Sequence, residues 1–461
     1  MKKGERCFRE VLPGDLLSGE VLKMRYNMKS AKVLILISAV LFGCSSGAGR
    51  QGNVDGLTVI DVGSDVGKGR VVDLSEIAQE ITYIPLETNE DSFISAAPVI
   101  SLENNRIYVK SRGVIKVFDM SGKYLFTFDR KGRGPQEYSY SAPNVERGTG
   151  RFYAENPNSD HSVTVKLYSQ EGDFVKEFTA PSVKNRILRM NKSKENVYSF
   201  TFFNDFVPQV DGIEVDTDKV SKLLLDSLAN IIGFLPELPI DSRVVLGTEV
   251  RTKTEDGREL LNPFVQDNTP QAYHFYKDTI RTYKQYNDTL YSFYDGNKLV
   301  PRYVLDYGEY AASRIDLDQI NNVKGKVINL DRNHYYETDR LIMFLFLLRD
   351  YAHEPYFGKY FYLQVKDQEI RSSYAFYDKF SGEFTFLNLP IPKTPGFRED
   401  FEHGPPFLPS YLSDDNYMAA IHQAHDLKEY AANHEVSDSL RAIIDGLEDN
   451  DNPVIALVKL R

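Results

Sequence analysis

Apolar and polar positions along this 461-residue chain fall into a phrase that recurs. The clearest copy is Val117-Phe118-Asp119-Met120-Ser121-Gly122-Lys123-Tyr124-Leu125-Phe126-Thr127-Phe128: an apolar and aromatic run, a polar turn with glycine, then alternation with a period of two. Leu167 to Phe178 repeats the pattern, its turn glycine Gly172 standing fifty residues after Gly122. Weaker copies run over Leu224–Gly233, Phe293–Leu299 and Phe376–Phe386. Each predicts a β-hairpin, because Gly, Asp and Ser supply the turn and the alternation gives strands with one buried face. One hairpin is marginal in water, so the copies must lean on one another. Repetition at fifty residues or more fits four-stranded antiparallel blades around an axis. The expectation is an all-β fold, a six-bladed β-propeller occupying residues 75–461 as one domain. The uneven spacing of the phrases leaves five or seven blades open.

Other segments fill in the blades. Arg106-Ile107-Tyr108-Val109 reads as a strand, and Leu341–Leu348 is a short, wholly apolar run that predicts a strand buried on both faces. Ile81–Leu86 near the start is expected to pair with Val454–Val458 at the end, closing the ring and removing open edges. Tyr417–Leu447 breaks the pattern: it is rich in Ala, Leu, Glu, Lys and His, and predicts one or two short helices before the last strand. Asp211–Leu225 is a candidate for a second helical or loop insertion.

The first part of the chain has a different character. Lys29 and Lys32 precede the ten-residue apolar run Val33–Phe42, which ends at Leu41-Phe42-Gly43-Cys44. Ten residues are too few to span a bilayer core, which needs about 20. The segment reads as a signal peptide with a lipobox, and Cys44 as the lipid-attachment residue. A non-lipidated export signal is the plainer alternative. Residues 1–27 look like upstream sequence, with Met24 or Met28 as the true start. Residues 44–74 are then the lipidated cysteine and a flexible tether, opening with Ser45-Ser46-Gly47-Ala48-Gly49-Arg50. The tether has no acidic run after Cys44, which favours the periplasmic face of the outer membrane over the cell surface.

Composition limits the partners. The net charge is −11, and the first 43 residues hold 8 Lys/Arg against 4 Asp/Glu, so the remainder is more acidic still. Such a body repels phosphate backbones, and no nucleic-acid partner is expected. The 2 cysteines, Cys7 and Cys44, both precede the folded part, which excludes a disulfide scaffold and thiolate catalysis there.

These residues together resemble the six-bladed β-propeller lipoproteins of Gram-negative bacteria, a group related to NHL-repeat propellers. Ile84-Pro85-Leu86-Glu87-Thr88 resembles the opening strand of that group. Phe118-Asp119 through Gly122, followed by Gly132-Arg133-Gly134-Pro135-Gln136-Glu137-Tyr138, resembles its first-blade signature. Asn287–Tyr291 before Pro301 and Asp306-Tyr307-Gly308, then Gly404–Pro409, then Asn452-Pro453-Val454, complete the likeness. The chain departs at Gln136, where the group often has Gly, and at Leu408, where it often has Trp. The resemblance implies fold and export, and no agreed reaction.

Candidate chemistry is sparse. Gly132-Arg133-Gly134-Pro135 is not a dinucleotide loop, because Glu137 stands where the third glycine belongs, and reads as a tight turn between blades. Gly63–Gly69 is one residue short of a P-loop and lacks its Ser or Thr. His422 and His425, three apart on an expected helix, are metal-ligand candidates with Asp426, although a solvated helix face explains them as well. Arg133, Tyr138, His403 and Phe407 are the candidate ligand-facing residues. Rings such as Tyr138, Tyr140, Tyr273, Phe275, Tyr276 and Phe407 suit either a sugar or peptide site at the propeller mouth or packing between blades. The leading expectation is a non-enzymatic binding or protein-interaction module in the cell envelope, with a glycan, peptide or envelope protein as partner and no cofactor. The alternative is a propeller hydrolase or lyase acting on a carbohydrate or lactone through Ca or another divalent metal.

Overall fold

Alternating side chains from each strand serve two different interfaces, and this organises the whole body. In the computed structural model the described residues are 53–461, apart from 55, 96–97, 140–141, 185, 204–211, 217–218, 239–249, 254–258, 263–270, 278, 285–286, 295–297, 312–327, 349–350, 353–356, 361–368 and 414. The export segment, Cys44 and Tyr140 thus lie outside the described residues.

Six antiparallel sheets form a ring. Blade 1 comprises Val99–Glu103, Arg106–Ser111, Val114–Asp119 and Tyr124–Phe128. Blade 2 comprises Asn144–Val145, Phe152–Pro157, Val163–Tyr168 and Phe174–Ala180. Blade 3 has Ile187–Lys194, Val197–Phe203, Val220–Leu225 and Ile231–Pro236; blade 4 has Gln271–Tyr276, Thr279–Lys284, Thr289–Tyr294 and Lys298–Asp306. In blade 5, Asn329–Glu337 and Leu341–Leu347 lead to Glu369–Asp378, against which both Phe357–Tyr360 and Phe384–Phe386 pair. Blade 6 closes the ring with Tyr411–Leu412, Tyr417–His422, Val454–Leu460 and, from the other end of the chain, Ala78–Pro85. A separate hairpin, Val250–Lys253 with Glu259–Asn262, lies between blades 3 and 4 in sequence.

The closing strands pair as expected, with Ile455 facing Ile84, Ala456 facing Tyr83 and Val458 facing Ile81. Before reaching it, the chain crosses the outer edges of two blades. Leu57–Asp61 adds a parallel strand to Lys298–Asp306 of blade 4. Arg70 then bridges Leu387, and Asp73 bridges Arg398. The Arg398 guanidinium pairs with Asp73, and Arg70 pairs with Glu76 at 2.9 Å.

Six buried clusters fill the six seams between neighbouring blades. Ile107 and Val109 pack toward blade 6, whereas Tyr108 between them packs toward blade 2. Leu223 and Leu225 face blade 2, and Leu224 faces blade 4. This is the period-two alternation of a strand with two apolar neighbours. It explains Leu341–Leu347, buried throughout: Leu341 and Met343 face blade 6, while Ile342, Phe344 and Phe346 face blade 4.

The recurring phrase is the hairpin of third and fourth strands. Its polar residue caps the turn: Asp119 Oδ1 accepts from the amides of Ser121 (2.8 Å) and Lys123 (3.1 Å). Ser169, Asp226 and Asp378 accept from turn amides in the same way in blades 2, 3 and 5. Gly122 has φ +86°, and a Cβ there would meet the Pro85 carbonyl oxygen at 2.1 Å, so blade 1 docks on the closing strand through a position that only glycine fits.

Three expectations need correction. Residues 57–74, expected to belong to the tether, are built into the body: Leu57–Asp61 is a strand on blade 4, and Ile60, Val62, Val72 and Leu74 bury their apolar side chains against the neighbouring blades. Tyr417–His422 is a strand of blade 6, with apolar Met418 and Ala420 on one side, and the helices begin later: α1 (Ala424–Asn433) and α2 (Asp438–Asp445). Ser437 caps α2 by accepting from the Leu440 amide at 3.1 Å, and Leu427, Ala431, Leu440 and Ile444 bury themselves at the seam of blades 5 and 6. Val220–Leu225 is the third strand of blade 3 and not part of an insertion. Its Leu-rich run resembles a helix by composition, yet both faces are covered by neighbouring blades. Among the described residues no helix is long and apolar enough to cross a membrane.

Candidate functional site

First strands of all six blades face the axis, and their last residues bring polar groups to one region. A cavity of about 420 Å³ lies there, lined by Val99, Ser101 and Glu103 of blade 1, Asn144 and Arg147 of blade 2 and Ser193 of blade 3. His274 and Phe275 of blade 4, Tyr336 and Glu337 of blade 5, and Tyr411 of blade 6 complete its circumference. Lys110 and Tyr108 line it from the second strand of blade 1. The volume falls in the range of small-molecule sites, roughly 300–1,000 Å³, and the mixture of rings with a few polar groups is the usual composition of one. Val99 lines the cavity and is 65% exposed, so the cavity reaches solvent at the start of blade 1.

Each charged group in the lining has an identifiable setting. Arg147 ties four blades together: its guanidinium donates to the Phe275 carbonyl (3.4 Å) and the Leu412 carbonyl (3.2 Å), and its amide donates to the Ser193 carbonyl (3.3 Å). Glu103 accepts from the Tyr411 hydroxyl and from the Gly148 amide, both at 2.8 Å. Lys110 donates to Asn144 Oδ1 at 2.6 Å, and burial pulls its ammonium below the usual lysine range.

Glu337 is the centre of a buried ion cluster between blades 4 and 5. Its carboxylate accepts from Arg281 (2.7 and 3.1 Å), Lys379 (2.7 Å) and the Tyr335 hydroxyl (2.7 Å). Burial opposes the Glu337 charge, but Arg281 and Lys379 outweigh it and hold the carboxyl below the usual range. Tyr276 lays its ring against the same cations, 4.4 Å from Lys379 and 5.0 Å from Arg281. A second buried carboxylate, Glu146, accepts from the Tyr198 hydroxyl (2.8 Å) and the Asn196 amide (3.1 Å), joining blade 2 to blade 3.

The residues singled out in the sequence lie elsewhere. Tyr138 is buried against Phe128, its ring centroid 6.2 Å away, and Phe407 is wholly enclosed at the seam of blades 5 and 6. Arg133 and His403 are exposed, and none of these four lines the central cavity. Gly132–Tyr138 is a tight connection between blades 1 and 2, in which the Gly132 amide donates to the Tyr138 carbonyl (2.9 Å) and the Tyr138 amide to the Arg130 carbonyl (3.1 Å). Phe275 does line the cavity, whereas Tyr273 is buried with its hydroxyl 2.7 Å from Ser199.

His422 ends a strand, its ring 6.2 Å from Tyr83, and burial pulls it down to about 4, so it is neutral at pH 7. His425 sits on the first turn of α1, 61% exposed, with Asp426 at 3.1 Å. The two are therefore not on one helix face. Among the described residues no group of three or more His, Cys, Asp or Glu is placed to hold a metal.

Sequence reasoning missed Glu103, Lys110, Asn144, Arg147 and Glu337. A signal was present for three of them: Glu103, Arg147 and Glu337 directly precede the first turn of their blades.

Fold and site together define a six-bladed β-propeller with a ligand-sized cavity on its axis. Residues 57–459 match the family described as "Domain of unknown function (DUF4934)", and the chain belongs to that family. No curated protein matches the chain. A Bacteroides fragilis NCTC 9343 protein whose description calls it exported aligns with TM-score 0.54 and 16% identity, over 88% of this chain and 99% of that one. A member of the DUF4221 family from Bacteroides vulgatus ATCC 8482 aligns with TM-score 0.44 and 10% identity, over 83% of this chain and 97% of that one. At these identities the likeness is one of fold alone.

Proposed function

We propose that this protein is an exported, lipid-anchored binding module of the cell envelope that takes a small ligand in its central cavity. The carrying observation is the cavity itself, walled by the first strands of all six blades and lined by aromatic and polar side chains. Support for export comes from the apolar run ending at Cys44 and from the description of the Bacteroides fragilis protein with the same fold. Lipid on Cys44 would hold the protein to the outer membrane, on its periplasmic face, through a short tether. Glycans and peptides are the ligand classes that suit a lining of Tyr, Phe and His with a few charges.

Two experiments test this reading. Membrane fractionation should find the wild-type chain with the outer membrane and Cys44→Ala in the soluble fraction; equal partitioning contradicts the anchor. A thermal-shift screen of glycans and peptides should yield a ligand whose stabilisation disappears when the cavity is filled by Ser101→Trp. A ligand unaffected by that change binds elsewhere and contradicts the site.

A further inference from the structure

Charge balance within the cavity deepens that reading, on which this inference rests. Glu337 is neutralised twice, by Arg281 and Lys379, neither of which is in the lining. Glu103 is engaged by Tyr411 and the Gly148 amide. Lys110 is different. An ammonium has three donors, and among the described residues Lys110 uses one, toward the neutral amide of Asn144. It forms no ion pair among them and is half-buried. Asn144 accepts that bond, and its own NH₂ reaches only the Ala142 carbonyl, at 3.5 Å. Ser101 lines the same wall and makes no side-chain hydrogen bond among the described residues. Lys110, Asn144 and Ser101 thus meet on one side of the cavity with donor capacity to spare. The chain as a whole carries net charge −11, so an ammonium that forms no ion pair among the described residues stands out in this lining.

We infer that the cavity binds a small ring compound bearing a carboxylate, held by Lys110 with Asn144 and Ser101 as additional donors. The ring body would lie against the lining formed by His274, Phe275, Tyr336 and Tyr411. A sugar acid and an aromatic acid share this chemistry. A carboxylate also restores what burial withdraws from Lys110, since an opposite charge beside a buried ammonium favours its charged form.

Isothermal titration calorimetry on the full chain in detergent tests the inference with D-glucuronate and benzoate, each against its neutral counterpart, D-glucose and benzamide. At least one acid should bind tenfold or more tightly than its counterpart, and the one that binds identifies the ring class. Lys110→Met should weaken that acid by tenfold or more, as expected for loss of a charge-assisted bond, while Lys110→Arg keeps most of it. Circular dichroism of both variants should match the wild type; if Lys110→Met does not fold, Asn144→Leu takes its place with the same expected direction. Equal binding of acid and neutral compound, retention of affinity in Lys110→Met, or no heat from either acid overturns the carboxylate inference. A neutral compound lost on Ser101→Trp leaves the cavity reading intact while sinking the inference; one retained by that variant sinks both.

Discussion

Replacing Glu337 by Gln should cost more stability than any surface change in this protein. The carboxylate is 1% exposed and lies against two cations, Arg281 at 2.7 Å and Lys379 at 2.7 Å. The substitution removes the anion and leaves both cations in place, one of them 5% exposed. Removing one partner of a buried ion pair costs about 3–5 kcal/mol, mostly as the penalty of the stranded charge. Unfolding entropy of about 2.1 cal/mol/K per residue makes 1 kcal/mol worth roughly 1 °C in a body of this size. Glu337→Gln should therefore melt about 3–6 °C below wild type in calorimetry at pH 7. The triple variant Arg281→Met, Glu337→Met, Lys379→Met should recover most of the loss, because no charge is then stranded. The native Glu337 pKa lies below that of the unfolded chain, so its contribution is full above the unfolded value of about 4.3 and disappears as the pH falls through the folded value. The gap between wild type and Glu337→Gln should accordingly narrow in acid. An unchanged melting temperature in the single variant, or a gap that widens below pH 4, refutes the reasoning.

Three further outcomes follow from the geometry. His422 is neutral in the fold with a pKa of about 4. Against about 6.5 when unfolded, its contribution is full above 6.5 and lost as the pH falls toward 4, on the order of 3 kcal/mol; urea melts at pH 7 and pH 5 should show a slope that His422→Gln reduces. Asn452 accepts from the Ile94 amide (2.7 Å) and donates to the Glu87 (2.7 Å) and Ser92 (3.0 Å) carbonyls; Asn452→Ala should lower stability by about 2–4 kcal/mol in urea titration, since it strands buried backbone groups. Gly122→Ala should destabilise the seam beside the closing strand by at least about 1 kcal/mol, and a melting temperature equal to wild type would contradict the close approach to Pro85.

Hairpins were legible in this sequence because their chemistry is local. Asp119, Ser169, Asp226 and Asp378 cap turns a few residues away, and alternation on either side reveals the strands. The closing strand was legible for a related reason: Ile81–Leu86 and Val454–Val458 are apolar runs at opposite ends of the chain. The cavity was not, since it is assembled from first strands as short as Asn144–Val145 and Tyr411–Leu412, too brief to carry a period. Glu103, Arg147 and Glu337 come from segments separated by forty residues or more, and only the ring brings them together. Tyr138 and Phe407 stood out for their motifs, yet large rings beside glycine and proline turns serve as well to plug a seam, and both are buried in one.

Without a closed ring there is no axis on which a cavity could form, so closure is the measurement to make. Thr82 and Leu457 face each other across the antiparallel pair that joins the two ends of the body, and neither is wholly buried. Directly opposed residues have Cα atoms about 4.5–5.5 Å apart, within the span of a disulfide. In a Cys7→Ser, Cys44→Ser background, Thr82→Cys with Leu457→Cys should oxidise to an intramolecular disulfide, seen by mass spectrometry as a single peptide linking the two strands. Two free thiols in the folded, oxidised protein would contradict the ring and the cavity with it.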